Sequence, residues 1–266
     1  MTNTLAGDTA MKRVEGKVAL ITGAAGGLGS AAARMLAREG ARVVVTDRAS
    51  QEAEGRAVAE SLGDGQGLFL ALDVTREEDW VRAMEATQER FGRLDVLVNN
   101  AGMGIPKDVE SLSLEEWRLV HAVNLDGTFL GCKHGIRAMR QCGARGSIIN
   151  VSSQAGLMGV PSLAAYASAK GAVRMFTKTV ALHCAEKGYG IRCNSIHPTF
   201  IETNMVKALL EASGAPDRAR EGMRRSIPLG SLGEPDDVAH GIVYLASDES
   251  KLMTGAELVL DGGGTA

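Results

Sequence analysis

The chain has 266 residues, 45% of them apolar and 23% charged, with a formal net charge of −3. That composition supports a packed core and excludes a disordered or fibrous chain. Acids and bases are interleaved along it, so the basic stripe that nucleic acid or an anionic membrane calls for is missing.

The N-terminal stretch MTNTLAGDTAMKRVEG is polar and lacks an apolar core, so it does not read as a signal peptide. Residues 1–14 are expected to form a loose tail. KVALIT (17–22) then predicts a buried strand, and LGSAAARMLAREG (28–40) a helix closed by Gly40. ARVVVTD (41–47) predicts a second strand, and a helix follows at 50–62. A third strand is expected at 68–73, a helix at 76–91 and a fourth strand at 94–100. A long helical region covers 115–142, followed by the strand GSIINVSS (146–153), a helix at 163–188 and the strand IRCNSIHP (191–198). A last helix, 235–247, and a last strand, 256–263, close the chain.

Strand–helix alternation of this kind predicts one α/β domain over 1–266. The expected architecture is a Rossmann-like, doubly wound parallel sheet of about seven strands with helices on both faces. Residues 199–233 interrupt the rhythm with a helical piece and a charged run, a long insertion that reads as a substrate lid. No apolar run approaches the ~18 residues of a membrane span.

Chemistry-bearing residues gather at the strand ends. TGAAGGLG (22–29) places glycines between the first strand and the first helix, where the backbone can approach a pyrophosphate and the helix N-terminus can receive it. The alternative is a tight turn without a ligand. Asp47 ends the second strand, where a carboxylate accepts from ribose hydroxyls and repels a 2′-phosphate. This favours NAD over NADP, although the adjacent Arg48 leaves NADP open. Tyr166 and Lys170 in AAYASAKGAV stand four apart, on one helix face. On spacing alone they are an exposed helical pair.

Taken in order, TGAAGGLG, Asp73-Val74, NNAG (99–102), Asn124, INVSS (149–153), YASAK (166–170) and Pro198 to Thr203 resemble the short-chain dehydrogenase/reductase family over nearly the whole chain. The resemblance implies an NAD(P)-dependent alcohol dehydrogenase or ketoreductase with the catalytic set Asn124, Ser153, Tyr166 and Lys170. Ser153 is preferred to Ser152 because it stands at the family's usual spacing from Tyr166. The resemblance also implies cofactor contacts from Gly23, Gly27, Leu28, Gly29, Asp47, Asp73, Val74, Asn100, Ala101, Gly102, Tyr166, Lys170, Pro198, Ile201 and Thr203, with Asn99 steadying its strand.

In this scheme Tyr166 is the base, Lys170 and the positive nicotinamide ring lower its pKa, and Lys170 also holds the nicotinamide ribose. Ser153 bonds the substrate oxygen, and Asn124 orders a water next to Lys170. The stretch 187–205 looks like bacterial NAD-dependent hydroxysteroid dehydrogenases, and the chain also looks like cyclic-alcohol (cyclopentanol-type) dehydrogenases. Where the family usually has Pro-Gly, this chain has Pro198-Thr199, which puts the Pro-Gly contact in doubt.

Ser153, Leu157, Met158, Leu163, Phe200 and Met205, with Met103, are expected to line an apolar substrate pocket for a hydroxysteroid or a cyclic or aryl alcohol. The alternatives are a 3-oxoacyl-acyl-carrier-protein reductase, which needs a basic docking surface, and a non-catalytic dinucleotide-binding regulator. Arg218, Arg220, Arg224 and Arg225 of the insertion are read as a solvent face, or else as anion ligands. The helices at 115–142 and 163–188 resemble the family's subunit interface, which implies a homotetramer or dimer. Cys132, Cys142, Cys184 and Cys193 have no zinc-site spacing and suit a reducing cytoplasm. His121, His134, His183, His197 and His240 form no metal-ligand pattern and read as surface or core residues, so no metal is expected.

Overall fold

The structure is a computed structural model that describes residues 12–266. Residues 1–11, most of the expected tail, lie outside it. Val14 is fully buried, and its N–H donates to Glu39 O at 3.1 Å, so the chain is already packed by that point.

Seven strands form one parallel sheet in the order β3-β2-β1-β4-β5-β6-β7. They are β1 (Val18–Thr22), β2 (Arg42–Asp47), β3 (Gly67–Ala71), β4 (Val96–Asn99), β5 (Ser147–Val151), β6 (Arg192–Pro198) and β7 (Glu257–Leu260). The helices between them are α1 (Gly27–Arg38), α2 (Glu52–Glu60), α3 (Glu77–Phe91), α4 (Leu114–His121), α5 (Gly127–Gln141), α6 (Ala164–Glu186), α7 (Asn204–Ala212), α8 (Pro216–Arg225) and α9 (Pro235–Ala246).

β1, β4 and β5 are buried along their whole length, because helices cover both faces of the sheet. Alternate residues feed two apolar layers. Ile21, Val45 and Val98 pack with Leu36 of α1 and Ile242 of α9. Leu20, Val44 and Leu97 pack on the other face with Trp80 of α3, Met139 of α5 and Cys184 of α6. The chain crosses the sheet after β3, so β1 and β4 are neighbours whose connections leave in opposite directions. The crevice beyond their C-terminal ends is where such sheets bind ligands.

Three regions differ from expectation. The helical region at 115–142 contains a π-helical turn at Ala122–Asp126, between α4 and α5. The insertion 199–233 holds two helices, α7 and α8, rather than one helical piece. Pro216 opens α8, where its missing N–H costs nothing. The last strand is shorter than expected, since Gly262 and Gly263 turn the chain at positive φ.

Candidate active site

The floor of the site is the turn from β1 into α1. Thr22 Oγ1 accepts the N–H groups of Asn100 and Ala101, both at 3.0 Å. The Asn100 amide donates back to the carbonyls of Thr22 at 2.8 Å and Gly23 at 3.1 Å. These bonds lock the ends of β1 and β4 together, leaving no room for side chains. A Cβ on Gly23 would lie 2.9 Å from Ala101 Cα, and one on Gly29 would lie 2.5 Å from Gly23 O. Gly26 precedes α1 without a side-chain cap, so the first-turn N–H groups have no side-chain partner. Bare backbone, helix N–H groups and the positive end of the helix dipole fit a dinucleotide pyrophosphate.

Two carboxylates stand at neighbouring strand ends. Asp47 Oδ2 accepts from Ala25 N at 3.1 Å and Oδ1 from Arg48 N at 2.9 Å, which fixes the group beside the glycine turn. Asp73 Oδ1 accepts from the Thr75 N–H at 3.0 Å and hydroxyl at 2.7 Å. The backbone N–H of Asp73 donates to buried Asp79 at 3.0 Å.

The polar centre is built on the end of β5. Lys170 of α6 is 3% exposed, and its Nζ donates to Val151 O at 2.7 Å. Ser152 Oγ donates to Lys170 O at 2.9 Å, so helix and strand are tied twice. Tyr166 lies one helical turn earlier, with Lys170 Nζ 5.6 Å from its ring centre. Ser153 Oγ accepts from Ala155 N at 3.1 Å, which leaves its own proton to donate.

Burial lowers Lys170 from its ordinary 10.5 to about 8. Burial also raises the Tyr166 phenol, while its hydrogen bond with Ser153 opposes this. For the protein alone desolvation is the larger effect on Tyr166, whereas the expected depression is that of Lys170 together with the positive nicotinamide ring. A lowered value requires a further positive charge in the site.

Asn124 lies in the π-helical turn, fully buried, and its amide donates to Met103 O and Val120 O, each at 2.8 Å. Its Oδ1 has no partner among the described residues. A Cβ on Gly102 would meet that oxygen at 2.8 Å and Lys170 Nζ at 3.3 Å, so Gly102 lets the two groups converge.

These groups surround a cavity of about 540 Å³. Its wall includes Gly23, Gly27, Leu28, Asp47, Asp73, Val74, Asn100, Ala101, Gly102, Ser153, Tyr166, Lys170, Pro198, Ile201 and Thr203. Gly29 and Asn124 stand behind the wall, the first under the glycine turn and the second under Gly102. Of the expected substrate-lining residues, Met103, Ser153 and Met205 border the cavity, whereas Leu157, Met158, Leu163 and Phe200 do not.

The reason is local. After Ser153 the chain enters a 3₁₀ turn at Gln154–Gly156 and runs outward, leaving Met158 exposed. Leu163 returns near the Tyr166 ring, with both side chains facing Gly104. A more open groove of about 760 Å³ along α1 meets the cavity at Gly27, Thr203 and Asn204 and holds none of the polar centre.

Sequence reasoning missed Val123 as a wall residue, and Arg48 and Ser152 also border the cavity. It also missed Asn150, whose buried amide links Asn99 (2.8 Å) to Thr177 (2.9 Å) beneath the site. Polar residues inside the apolar run SIINV were the available signal. Thr199, in place of the usual glycine, lines the cavity, yet its Oγ1 is buried without a partner among the described residues. Arg220 pairs with Glu202, and Arg224 and Arg225 pair with Glu221, so these three are engaged locally. Among the described residues no group of three His, Cys, Asp or Glu could hold a metal, and no helix is long and apolar enough to cross a membrane.

A doubly wound sheet with a glycine cradle and a tyrosine–lysine–serine centre at its switch point defines a pyridine-dinucleotide oxidoreductase. The family model described as "Enoyl-(Acyl carrier protein) reductase" matches residues 23–265. The chain is 45% identical over 255 residues to the NADP-dependent (R)-specific alcohol dehydrogenase of Lentilactobacillus kefiri, covering 96% of this chain and 98% of that one. It is 46% identical over 262 residues to the trans-4-hydroxycyclohexanecarboxylate dehydrogenase of Sinomonas cyclohexanicum (96% and 95%). It is 43% identical over 257 residues to the cyclopentanol dehydrogenase of Comamonas sp. strain NCIMB 9872 (96% and 100%). The chain belongs to the short-chain dehydrogenase/reductase family and is an NAD(P)-dependent oxidoreductase.

Proposed function

We propose that the enzyme interconverts a bulky, apolar secondary alcohol and its ketone, preferring NAD, with Tyr166 as the proton-transfer group. The observation that carries this reading is the convergence of Tyr166, Lys170 and Ser153 on the cavity that Asp47 and the glycine turn also border.

The cofactor would lie with its pyrophosphate at Gly23, Gly27, Leu28 and Gly29, its adenosine ribose at Asp47 and its adenine at Asp73 and Val74. Asn100, Ala101, Gly102, Pro198, Ile201 and Thr203 would flank it toward the nicotinamide, which accepts or donates the hydride. Ser153 donates its proton to the substrate oxygen and holds the charge that develops there. Tyr166 moves the hydroxyl proton to or from that oxygen. Because burial raises the phenol, Tyr166 carries its proton at neutral pH and is ready to give it to a ketone. Lys170, charged below about pH 8, stabilises the phenolate left behind. The unpartnered Asn124 Oδ1 near Lys170 Nζ supports a solvent proton route through that pair.

A bulky ring substrate draws support from Met103 and Met205 on the cavity wall and from relatives named for cyclic alcohols and a hydroxysteroid. α7 contributes Met205 and Val206 to that wall, which supports 199–233 as a lid on a single domain. The acyl-carrier reading loses support, since three arginines that would dock an acidic carrier are paired with Glu202 and Glu221. Exposed Phe129, Met175 and Leu182 on α5 and α6 support a homotetramer built on those helices. The four free thiols suit the cytoplasm.

The test is a panel of cyclic alcohols, hydroxysteroids and aryl alcohols, assayed with NAD and with NADP. The expected result is kcat/KM at least tenfold higher with NAD and for ring substrates. Equal or higher efficiency with NADP overturns the cofactor assignment, and preference for an acyl-carrier thioester overturns the substrate assignment.

A further inference from the structure

His197 is fully buried on β6 and contributes nothing to the cavity wall. Both ring nitrogens are engaged. Nδ1 lies 3.1 Å from Ser153 O, and Nε2 lies 2.8 Å from Ser195 Oγ. A carbonyl can only accept, so Nδ1 carries the proton. Nε2 of the neutral ring must then accept, and the Ser195 hydroxyl donates. Two bonds thus fix one tautomer.

The surroundings favour the uncharged ring. Burial pushes His197 below its ordinary value, and Arg174 and Lys170 of α6 push it the same way, against Glu257 of β7 and the Ser153 bond. A neutral imidazole adds no charge next to Lys170.

The bond falls where β5 leaves the sheet. Val151 pairs with Ile196, and Ser152 N donates to Ile196 O at 2.8 Å, the last bond of that ladder. Ser153 O has no strand partner beyond it, and it accepts from Gly156 N at 2.9 Å as well as from His197. Three consecutive residues of the departing chain are therefore anchored separately. Lys170 holds the Val151 carbonyl, the Lys170 carbonyl holds the Ser152 hydroxyl, and His197 holds the Ser153 carbonyl. Only the last of these ties comes from β6.

We propose that His197 is a positioning residue for Ser153: its Nδ1–H replaces the missing strand bond and aims the Ser153 hydroxyl at the substrate oxygen. The inference rests on the reading of Ser153 as the donor to that oxygen.

Two amide substitutions separate the two ring bonds. In His197→Asn the amide nitrogen can occupy the Nδ1 place and reach Ser153 O. In His197→Gln it falls near the Nε2 place and meets Ser195 instead. Both variants keep a polar group in the site, and thermal melts establish that each is folded. Turnover of a secondary alcohol is measured beside NADH affinity by nucleotide fluorescence. His197→Asn is expected within about fivefold of the parent kcat, and His197→Gln lower by roughly tenfold or more, with NADH affinity in both within about twofold. In a Ser153→Ala background the His197→Gln loss should vanish, because the group it aims is gone. Equal kcat for the Asn and Gln variants, or a Gln loss that multiplies with that of Ser153→Ala, overturns the positioning role alone. Full turnover in Ser153→Ala overturns the Ser153 reading itself and the inference with it.

Discussion

The cofactor end and the substrate side of the cavity are built in opposite ways. At the cofactor end backbone meets backbone: Gly23 and Gly29 stand where a Cβ would lie under 3 Å from another main-chain atom, and Thr22 and Asn100 bond across two strands. On the proposed substrate side Met205, 42% exposed, rides on the insertion helix α7. Steric necessity writes the constant half of the site, whereas the half that chooses a substrate uses side chains that many alternatives could replace. Substitutions at the first end should remove function, and those at the second should redirect it.

The largest effect is expected at Lys170, where burying an ammonium lowers its pKa from 10.5 to about 8. That shift means folding sacrifices about 3 kcal/mol to keep the charge there. Lys170→Met should lower turnover by roughly 10²–10⁴-fold. It should leave stability near the parent's at pH 7, because relief of the buried charge offsets the about 1–3 kcal/mol lost at the orphaned Val151 carbonyl. The cost is full below about pH 8 and fades as pH rises toward 10.5, so the parent should gain stability relative to the variant in alkali. Urea titrations at pH 7 and 9.5 check the sign. Ketone reduction by the parent should hold below pH 8 and fall above it, as Lys170 loses its proton.

Next comes the cradle. An added Cβ in Gly29→Ala meets Gly23 O, Ala24 Cα and Asn100 Nδ2 at 2.5–2.7 Å, and none of these can yield without moving the turn. Overpacking of this kind costs about 1–3 kcal/mol. NADH affinity should fall by more than about tenfold, read by nucleotide fluorescence, and saturating NAD should restore little of the lost melting temperature. An affinity within twofold of the parent would show that the turn tolerates displacement.

A smaller change is expected at Asp47, whose carboxylate is held by Ala25 and Arg48 N–H groups. Hydrogen bonds to a charged group contribute about 1.5–3 kcal/mol. Asp47→Ala should therefore lower the NAD:NADP ratio of kcat/KM by roughly tenfold or more, with Arg48 adjacent to a 2′-phosphate. An unchanged ratio would mean that Asp47 does not read the ribose.

The same contrast decides what was legible in the sequence. The alternation of strands and helices, the parallel sheet and the glycine turn follow from periodicity and from chemistry that allows few substitutes, and the structure brings Ser153, Tyr166 and Lys170 to one cavity. The π-helical turn under Asn124 was not legible, because a wider helical turn has no period of its own in a stretch only five residues long. His197 reads in sequence as an ordinary surface or core residue for a related reason. Its partner is a backbone carbonyl 44 residues away, and a carbonyl leaves no mark on residue type. Nearness in sequence to Ser153 and Pro198 points Leu157, Met158, Leu163 and Phe200 at the cavity, but the path of an irregular loop is set by tertiary contacts.

Thr199 sits on the border between the two halves and gives the smallest and most discriminating effect. Its N–H donates to Leu260 O at 3.1 Å, which fixes the backbone, while its buried hydroxyl has no partner. A buried unsatisfied hydroxyl costs about 1–3 kcal/mol. Thr199→Val keeps the branched shape and removes the hydroxyl, so the variant should gain about 1 kcal/mol and melt roughly 2–4 °C higher. Turnover should remain within about threefold of the parent. If the variant instead melts lower or loses tenfold in turnover, the hydroxyl is bonded in the working enzyme, and position 199 belongs to the constant half of the site. A higher melting point with a changed ranking of alcohols would place it in the half that selects substrate, where its methyl group, not its hydroxyl, shapes the wall.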